Sequence, residues 1–242
     1  ESDASGSLRK ILGGAIRQCF SGGAAIAPSL VQRYEEEQIP LLPGYGLTET
    51  APIVTVSTIE NHAAGTVGRP LPNIEVELAE DGEILVRGPS VMPGYWRDEG
   101  ATAEVLRDGW FHTGDLGKWT DEGYLVIVGR KKELLALSTG KKIAPAAIEA
   151  MLTASPLIEQ VMIVGDGRSH IAALVVPNPV RLRAEIRERR LWVWSKRRAV
   201  THPKIMELYR QESGERLSHL TASQQVRDFV ILTRGFTIET GE

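Results

Sequence analysis

Four glycine-containing motifs in a fixed order constrain the fold more than any other feature of this chain. They are GYGLTET at 44–50, FHTGDLG at 111–117, GRKKELL at 129–135 and STGKK at 138–142. Each motif alone is also compatible with an ordinary glycine-containing loop. Together they supply an aromatic ring, carboxylates and cationic hydrogen-bond donors, which are the groups that a nucleotide site needs. The series therefore predicts part of a nucleotide-using enzyme.

The length and composition set the class of protein. The 242 residues are 42% hydrophobic, which is enough to bury the core of one large domain or of two ordinary ones. A net charge of -3 gives no global attraction to nucleic acid or anionic lipid, and we expect no nucleic-acid partner. The single cysteine, Cys19, excludes an internal disulfide framework. With no bilayer-length apolar run and no signal peptide, the sequence predicts a cytoplasmic protein.

The pattern of strands and helices changes along the chain. Residues 1–64 alternate strand, helix and strand, which is typical of the end of an α/β region. Residues 65–128 contain short strands between Pro-Asn, Asp-Gly and Glu-Gly turns, which indicates a β-rich subdomain. Residues 133–242 begin with a helix, continue with two strands joined by a turn, and become helical again. We predict a multidomain α/β and α+β protein with a boundary at 129–132.

The GYGLTET motif brings three chemical groups to one sharp turn. Its glycines allow close approach to a ligand, Tyr45 offers a stacking face, Thr48 a hydroxyl donor and Glu49 a hard oxygen ligand. An ordinary strand-to-loop turn with a core tyrosine is the alternative. The dinucleotide-binding pattern is excluded because Glu49 stands where its last glycine would be.

The FHTGDLG motif places an aspartate beside a glycine. We expect Asp115 to follow Gly114 in a tight turn after a strand end, where its carboxylate can accept from two vicinal hydroxyls of a ribose. Such a charge-assisted hydrogen bond contributes about 1.5 to 3 kcal/mol. The alternative is an aspartate that stabilises its own turn. The basic run that starts at Arg130 is either a ligand-binding group or a solvated turn.

In this order, the motifs resemble those of the adenylate-forming superfamily, which includes acyl-CoA synthetases, luciferases and peptide-synthetase adenylation domains. The flanking segments SGGAAIAP, AAGTVGRPLP, GEILVRGPSVMPGYWRD and ELLALSTGKKIAP are similar to the long-chain fatty acyl-CoA synthetase branch. The similarity extends from Leu8 to Glu242. It implies the end of the large adenylate-forming domain, which is a partial α/β sheet plus a β-rich subdomain, followed by a hinge and a small α+β C-terminal domain.

The resemblance also implies a role for each matching residue. The implied cofactors and substrates are ATP or AMP, Mg²⁺, CoA and a fatty acid or related carboxylate. The implied contacts are Gly22, Gly23 and Ala24 along the adenine and acyl pocket, Tyr45 against adenine, Thr48 on the α-phosphate, Glu49 on magnesium, and Asp115 with Arg130 on the ribose. Lys132 matches the hinge position, and the loop at Gly140 would approach the pantetheine tunnel of CoA.

Two segments of the family pattern are not found in this sequence. The Ser/Thr/Gly-rich phosphate loop has no counterpart upstream of SGGA, and the chain stops before the family's adenylation lysine. We therefore expect a C-terminal part of a fatty acyl-CoA synthetase that is inactive by itself. The alternatives within the superfamily are an aryl-CoA ligase and a peptide-synthetase-type adenylation domain.

A basic segment at 181–204 suggests a different kind of protein. It holds seven arginines and two lysines against two glutamates, with Trp192 and Trp194 among them. Such a segment is typical of contact with a membrane surface or nucleic acid. The simplest interpretation is an amphipathic insertion with Leu182, Ile186 and Val193 on one helical face. Peripheral membrane contact and a non-enzymatic basic interaction module are the alternatives.

Overall fold

The structure of this protein is a computed structural model that describes residues 8–24, 26 and 28–237. These residues form two compact units, which divide between Lys132 and Glu133. No helix among the described residues has both the length and the apolar character needed to cross a membrane. The α/β and α+β fold class predicted from the sequence is confirmed.

The first unit is mainly β-structure with three helices. Its helices are α1 (Leu8–Ile11), α2 (Pro28–Glu36) and α3 (Glu99–Val105). Its strands are β1 (Cys19–Ser21), β2 (Leu41–Tyr45), β3 (Thr55–Val56), β4 (Arg69–Pro70), β5 (Glu75–Leu78), β6 (Glu83–Arg87), β7 (Leu106–Arg107), β8 (Trp110–Trp119) and β9 (Leu125–Arg130).

A four-stranded mixed sheet opens the first unit in the order β1-β2-β3-β4. Strands β1 and β2 are parallel and α2 lies between them in sequence, which is the β-α-β connection that parallel strands require. Strands β2, β3 and β4 are antiparallel neighbours. The first strand predicted in 1–64 is short, since β1 covers only Cys19–Ser21. The GYGLTET motif begins within the last residues of β2, so its loop follows the carboxyl end of this strand.

A five-stranded antiparallel sheet follows, with β8 at its centre. Strand β6 pairs with β8 on one side, while β7 and β9 pair with its first and second halves. The partners Glu83↔Leu116 and Leu85↔His112 leave three residues of β8 opposite one residue of β6. Gly114 lies in this bulge with a φ of 72°, a left-handed value that glycine adopts without strain.

The bulge corrects one prediction. Asp115 lies inside the ten-residue strand β8 and not in a turn at its end. A glycine followed by an aspartate suggested a turn, but β8 continues through the bulge: residues 110–112 pair with β6 and β7, and residues 115–119 pair with β9. The carboxylate is directed by the bulge and by the register of the sheet.

The first unit has a core of its own. It contains the fully buried side chains of Val54, Ile84, Val86 and Leu125, with Phe111 beside them. Val54 directly precedes β3, whereas the other four lie in the five-stranded sheet, so their packing joins the β3 segment to that sheet. Leu125 N–H also donates to Gly68 O at 3.0 Å, which links β9 to the segment before β4.

The second unit is an α+β structure. It contains β10 (Leu135–Ala136), β11 (Lys142–Ile143), α4 (Pro145–Thr153), β12 (Ile158–Val164), β13 (Ala172–Pro177), α5 (Pro179–Glu188), α6 (Lys196–Val200), α7 (Pro203–Arg216) and β14 (Asp228–Ile231). Strands β10 and β11 form a small antiparallel pair. Strand β13 is antiparallel to β12 and parallel to β14.

Several helices of this unit begin with proline, because a first-turn residue needs no N–H partner. In α5 and α7 the residues before the proline cap the helix: the Asn178 side chain accepts from two backbone N–H groups and His202 from one. The core centres on Leu152, Ile171, Ile205 and Tyr209, which are fully buried.

The basic segment differs from the predicted amphipathic helix. Leu182 and Ile186 do pack on the core from α5, but this helix ends at Glu188. Val193 and the two tryptophans lie in the following loop, before α6. The predicted single helical face is therefore wrong. Arg190, in the left-handed region at φ 51°, begins the change in chain direction.

Candidate functional site

A cleft of about 860 Å³ lies in the first unit, beside the ends of β1 and β2. This volume is within the range of about 300 to 1,000 Å³ that is usual for small-molecule sites. Its walls combine apolar side chains with glycines and a few polar groups. They include Phe20, Ser21, Gly22, Gly23, Leu42, Tyr45, Thr48, Glu49, Ile53, Val56 and Arg130.

The Asp115 carboxylate is fixed behind this cleft by two neighbours that line it. Tyr45 Oη donates to Asp115 Oδ2 at 2.7 Å, and Arg130 Nε donates to Oδ1 at 2.8 Å. Asp115 and Arg130 are direct partners in the β8–β9 ladder, so the register of the sheet produces the ion pair. The Asp115 side chain is 7% exposed and that of Arg130 is 58% exposed. A buried acceptor therefore lies beneath an accessible cation.

Tyr45 contributes a hydrogen-bond donor as well as an aromatic face. Its burial, together with the Asp115 carboxylate, raises the pKa of the phenol. The hydroxyl is therefore protonated and keeps donating to Asp115 at all physiological pH values. The ring lines the cleft, as a stacking face requires.

The loop after β2 presents Thr48 and Glu49 to the cleft. Gly46 lets the loop fold tightly, because a Cβ there would lie 1.8 Å from the Pro52 carbonyl oxygen. Thr50 is fully buried, and its Oγ1 accepts from Leu47 N–H at 3.0 Å and donates to Leu47 O at 2.9 Å. Residues 48–50 consequently form one turn of 3₁₀ helix.

Glu49 is held from a second direction. Its Oε1 accepts from Tyr95 Oη at 2.9 Å, and its backbone carbonyl accepts from Met92 N–H at 2.8 Å. Burial, followed by the Glu49 carboxylate, raises the pKa of Tyr95, which keeps this phenol a donor. The MPGYWRD segment therefore supports the Glu49 carboxylate, a contact that no sequence motif predicts.

A buried glutamate, Glu83, supports the strand that carries Asp115. Its Oε1 accepts from Gly114 N–H at 3.0 Å, and its Oε2 accepts from Lys131 Nζ at 2.9 Å and contacts His112 Nδ1 at 3.2 Å. Lys131 Nζ also contacts Asp81 Oδ2 at 2.6 Å. One carboxylate thus joins the β8 bulge to the residue that follows β9.

The balance of forces on Glu83 favours its ionised form. Burial raises the pKa of this carboxyl, but the hydrogen bonds from Lys131, His112 and Gly114 outweigh burial, so the pKa lies below the usual 4.5. Asp81 and then Glu83 raise the pKa of Lys131 in turn. The pair is therefore charged at neutral pH.

The structure brings some of the predicted site residues together and leaves others apart. Gly22, Gly23, Tyr45, Thr48, Glu49 and Arg130 line the cleft, and Asp115 contacts two of them. Ala24 is exposed and is not part of the cleft wall. Lys132 lies in a 3₁₀ turn at Lys131–Glu133. Gly140 lies in a turn of the second unit, at a φ of 80°.

The residues present fit magnesium as part of a nucleotide complex. Magnesium is usually held by one or two carboxylates together with substrate phosphates and water. Glu49 supplies one such carboxylate at the cleft wall. Within the described part of the chain, no three His, Cys, Asp or Glu side chains gather as a metal site of their own.

Comparison with known families identifies the class of protein. The family profile described as AMP-binding enzyme matches residues 3–96, and the profile described as AMP-binding enzyme C-terminal domain matches residues 132–202. The chain belongs to the family of AMP-binding enzymes. The resemblance to adenylate-forming enzymes is therefore confirmed.

The long-chain-fatty-acid–CoA ligase FadD15 of Mycobacterium bovis is 39% identical over 248 residues, covering 97% of this chain and 39% of that protein. The indoleacetate–CoA ligase of Aromatoleum aromaticum is 40% identical over 178 residues, covering 67% of this chain and 35% of its own length. The chain thus spans well under half of the curated relatives that it matches.

A solved structure gives the same result for the fold. The adenylation domain of a carboxylic acid reductase from Segniliparus rugosus, in complex with AMP and a co-purified carboxylic acid, has a TM-score of 0.73 and 27% identity. The match covers 96% of this chain and 36% of that one. Similarity over both described units supports an adenylate-forming architecture.

Proposed function

We propose that this chain is the nucleotide-binding and C-terminal part of an ATP-dependent fatty acyl-CoA synthetase. Such an enzyme joins a fatty acid to the α-phosphate of ATP with release of pyrophosphate, and then transfers the acyl group from AMP to the thiol of CoA. The observation that carries the proposal is the buried Asp115 carboxylate, held by Tyr45 and Arg130 at a cleft that Thr48 and Glu49 also line.

In this proposal Asp115 accepts hydrogen bonds from the ribose hydroxyls. Tyr45 and Arg130 each use one of its oxygens, but a carboxylate has about four lone-pair sites, so acceptor capacity remains for a diol. Arg130 balances the charge and assists at the ribose. The Tyr45 ring packs against adenine, while Gly22 and Gly23 allow the ligand to approach the backbone.

Thr48 and Glu49 act near the phosphates. Thr48 donates its hydroxyl to the α-phosphate. Glu49 would hold Mg²⁺, which would offset the negative charge at the phosphate. Tyr95 fixes the Glu49 side chain by its hydrogen bond. A carboxylate fixed in advance requires little reorganisation when substrate binds.

The remaining assignments concern the second half-reaction. Residues 1–64 and 65–128 belong to the large domain, 129–132 are the hinge with Lys132 at its pivot, and 133–242 are the small domain. The loop at Gly140 approaches the pantetheine of CoA in the thioester-forming state.

We place the protein in the cytoplasm, with peripheral membrane contact through 181–204.

One alternative within the family is an aryl-CoA ligase. Similarity to the fatty-acid ligase extends over 97% of the chain, whereas similarity to the indoleacetate ligase extends over 67%. The apolar side chains of Phe20, Leu42, Ile53 and Val56 at the cleft also suit an alkyl chain. These two observations favour a fatty acid as the carboxylate substrate.

Calorimetric titration of this chain with three ligands tests the proposal. The ligands are AMP, a palmitoyl-adenylate mimic and a benzoyl-adenylate mimic with sulfamoyl linkages. We expect the palmitoyl mimic to bind at least about tenfold more tightly than AMP, because burying two methylenes gives roughly 1.6 kcal/mol. Tighter binding of the benzoyl mimic would indicate the aryl-CoA ligase. Binding of none of the three would contradict a nucleotide site.

A further inference from the structure

The loop 189–195 displays two tryptophans outward from the second unit. Along 191–194 burial alternates: Leu191 and Val193 are half-buried, whereas Trp192 and Trp194 are 84% and 73% exposed. Side chains two apart in an extended segment lie on the same side, so both indoles face outward. Their ring centroids are 5.1 Å apart at an interplanar angle of 71°.

The loop is held at both ends. Leu191 packs against the core of the second unit, and its N–H donates to Ile186 O at 2.9 Å. At the other end Ser195 caps α6, where its hydroxyl accepts from Arg198 N–H at 3.3 Å. The indoles are therefore presented by a supported loop.

The indoles and several cations line one hollow of about 830 Å³. Leu182, Ile186 and Val200 also line this hollow. We name the outer part of this hollow the tryptophan face, and it consists of Arg183, Arg187, Arg190, Trp192, Trp194 and Lys196. Glu159 is the acidic residue that also lines the hollow. In the described part of the chain, no ion pair involves any of the four cations of the tryptophan face.

We propose that the tryptophan face docks onto an anionic lipid surface. Indoles favour the boundary between lipid headgroups and acyl chains, because one end of the ring system is apolar and the N–H is polar. Cations beside them are attracted by anionic lipids at about 1 kcal/mol each, or roughly fivefold in affinity. The inference rests on the proposed function only for its biological purpose, which is to collect fatty acids where they partition.

A nucleic acid fits this surface less well. Single-stranded nucleic acids bind on open aromatic faces where bases stack. The edge-on contact of Trp192 with Trp194 covers part of one ring face. A lipid headgroup layer needs no open ring face, since it surrounds the indoles as they insert.

Co-sedimentation with vesicles tests the proposal, using phosphatidylcholine mixed with phosphatidylglycerol and phosphatidylcholine alone, without nucleotide. The wild-type chain should sediment with the mixed vesicles and lose affinity as salt rises, because salt screens the cations. The double variant Trp192→Ala/Trp194→Ala should bind at least about tenfold more weakly. The double variant Arg183→Gln/Arg187→Gln should bind roughly thirtyfold more weakly, as two cations are lost.

Matched controls come from the first unit. Trp96 is 86% exposed, so Trp96→Ala removes an equally accessible indole elsewhere, and Arg107→Gln/Lys118→Gln removes two exposed cations. Both controls should bind vesicles within about twofold of wild type, since a shift that small is only about 0.4 kcal/mol. Thermal unfolding of each variant shows whether it is folded. Trp192 and Trp194 are exposed, so their removal should leave the unfolding temperature unchanged.

Several outcomes would overturn the docking proposal. They are no binding to the mixed vesicles, equal binding to phosphatidylcholine alone, wild-type binding by the indole variant, or an equal loss in Trp96→Ala. Displacement from the vesicles by a single-stranded oligonucleotide would instead identify a nucleic-acid surface. AMP titration without vesicles is a separate measurement, so failure of the nucleotide site and failure of the docking surface are distinguishable.

Discussion

The Asp115 carboxylate is engaged by Tyr45 on one oxygen and by Arg130 on the other. This arrangement fixes the carboxylate in one orientation before a ligand binds. Because the side chain is buried, its charge would be costly without these partners. The same contacts that make the charge tolerable also direct it, so stability and the ribose recognition that we propose depend on one cluster.

The two functions of Tyr45 can be separated by substitution. Tyr45→Phe removes the hydrogen bond to Asp115 but keeps the ring, and we expect a loss of about 1 to 3 kcal/mol in the free energy of unfolding. AMP affinity should fall by only a few-fold, because the ring is retained. This corresponds to a loss of less than about 1.4 kcal/mol in the free energy of AMP binding. Tyr45→Ala should also lose the stacking face and weaken AMP at least about tenfold.

Denaturant titration and calorimetry with AMP measure these two effects. Tyr34→Phe is a suitable control, because Tyr34 is half-buried on α2 and is not part of the cleft. Equal AMP affinity for wild type and Tyr45→Ala would show that the ring does not contact the nucleotide.

At the scale of elements, the bulge in β8 determines where Asp115 lies. Three residues of β8 face one residue of β6, and the backbone groups freed by the bulge find local partners. Thr113 Oγ1 donates to Ile84 O at 2.8 Å and accepts from Asp115 N–H at 3.0 Å. Glu83 accepts from Gly114 N–H. Side-chain hydrogen bonds therefore satisfy the backbone N–H groups of Gly114 and Asp115 in the bulge.

The support from Glu83 should be visible as a pH-dependent stability. Because the folded-state pKa of Glu83 is below 4.5, its ionised form contributes stability that is fully present above pH 4.5 and is lost as the pH falls through the folded-state pKa. We expect Glu83→Gln to lower the free energy of unfolding by about 1 to 3 kcal/mol at neutral pH. The difference from wild type should shrink below pH 4.5.

Denaturant unfolding at a series of pH values checks this prediction, with Glu77→Gln as the control. Glu77 is an exposed carboxylate on the neighbouring strand β5, so its removal should change stability little at any pH. If the difference in the free energy of unfolding between wild type and Glu83→Gln stayed constant below pH 4.5, this would contradict a role for the ionised carboxylate.

The sequence predicted the elements better than it predicted their partners. The strand, helix and strand order within 1–64 and the helix followed by two strands within 133–242 were predicted, because local patterning determines them. The role of Glu83 was not predicted, since its partners lie 29 to 48 residues away. The register of β6 with β8 places them together, and no local pattern encodes that register.

The site was predicted in the same uneven way. Tyr45, Asp115 and Arg130 belong to recognisable motifs, and the structure brings them into contact. The Tyr95 support of Glu49 spans 46 residues and was missed. A Tyr within a Pro-Gly-Tyr-Trp segment gave no signal beyond that of a turn.

At the scale of the whole molecule, two hydrophobic clusters serve the two units separately. One is built from residues of the first unit, including Leu125, and the other from residues of the second, including Ile205. In the described residues these clusters have no member in common. We therefore expect two thermal unfolding transitions.

Core substitutions should assign the two transitions. Leu125→Ala and Ile205→Ala each remove a fully buried aliphatic side chain and should each cost about 2 to 5 kcal/mol, in the transition of the unit that contains it. Ile205→Ala should leave AMP affinity unchanged, because each described residue that lines the cleft at β1 and β2 belongs to the first unit. Differential scanning calorimetry would contradict this account if either variant shifted both transitions equally.

Recognition of the ribose by Asp115 is the central claim, and a titration cycle tests it most directly. AMP and 2′,3′-dideoxy-AMP are titrated calorimetrically into wild type, Asp115→Asn and the control Asp121→Asn, an exposed turn residue. Wild type and the control should bind AMP about 10- to 150-fold more tightly than the dideoxy nucleotide, which corresponds to about 1.5 to 3 kcal/mol. In Asp115→Asn this preference should fall to a few-fold, about 1 kcal/mol or less, since Arg130 alone then assists at the ribose. A preference for AMP that is unchanged in Asp115→Asn would contradict the claim.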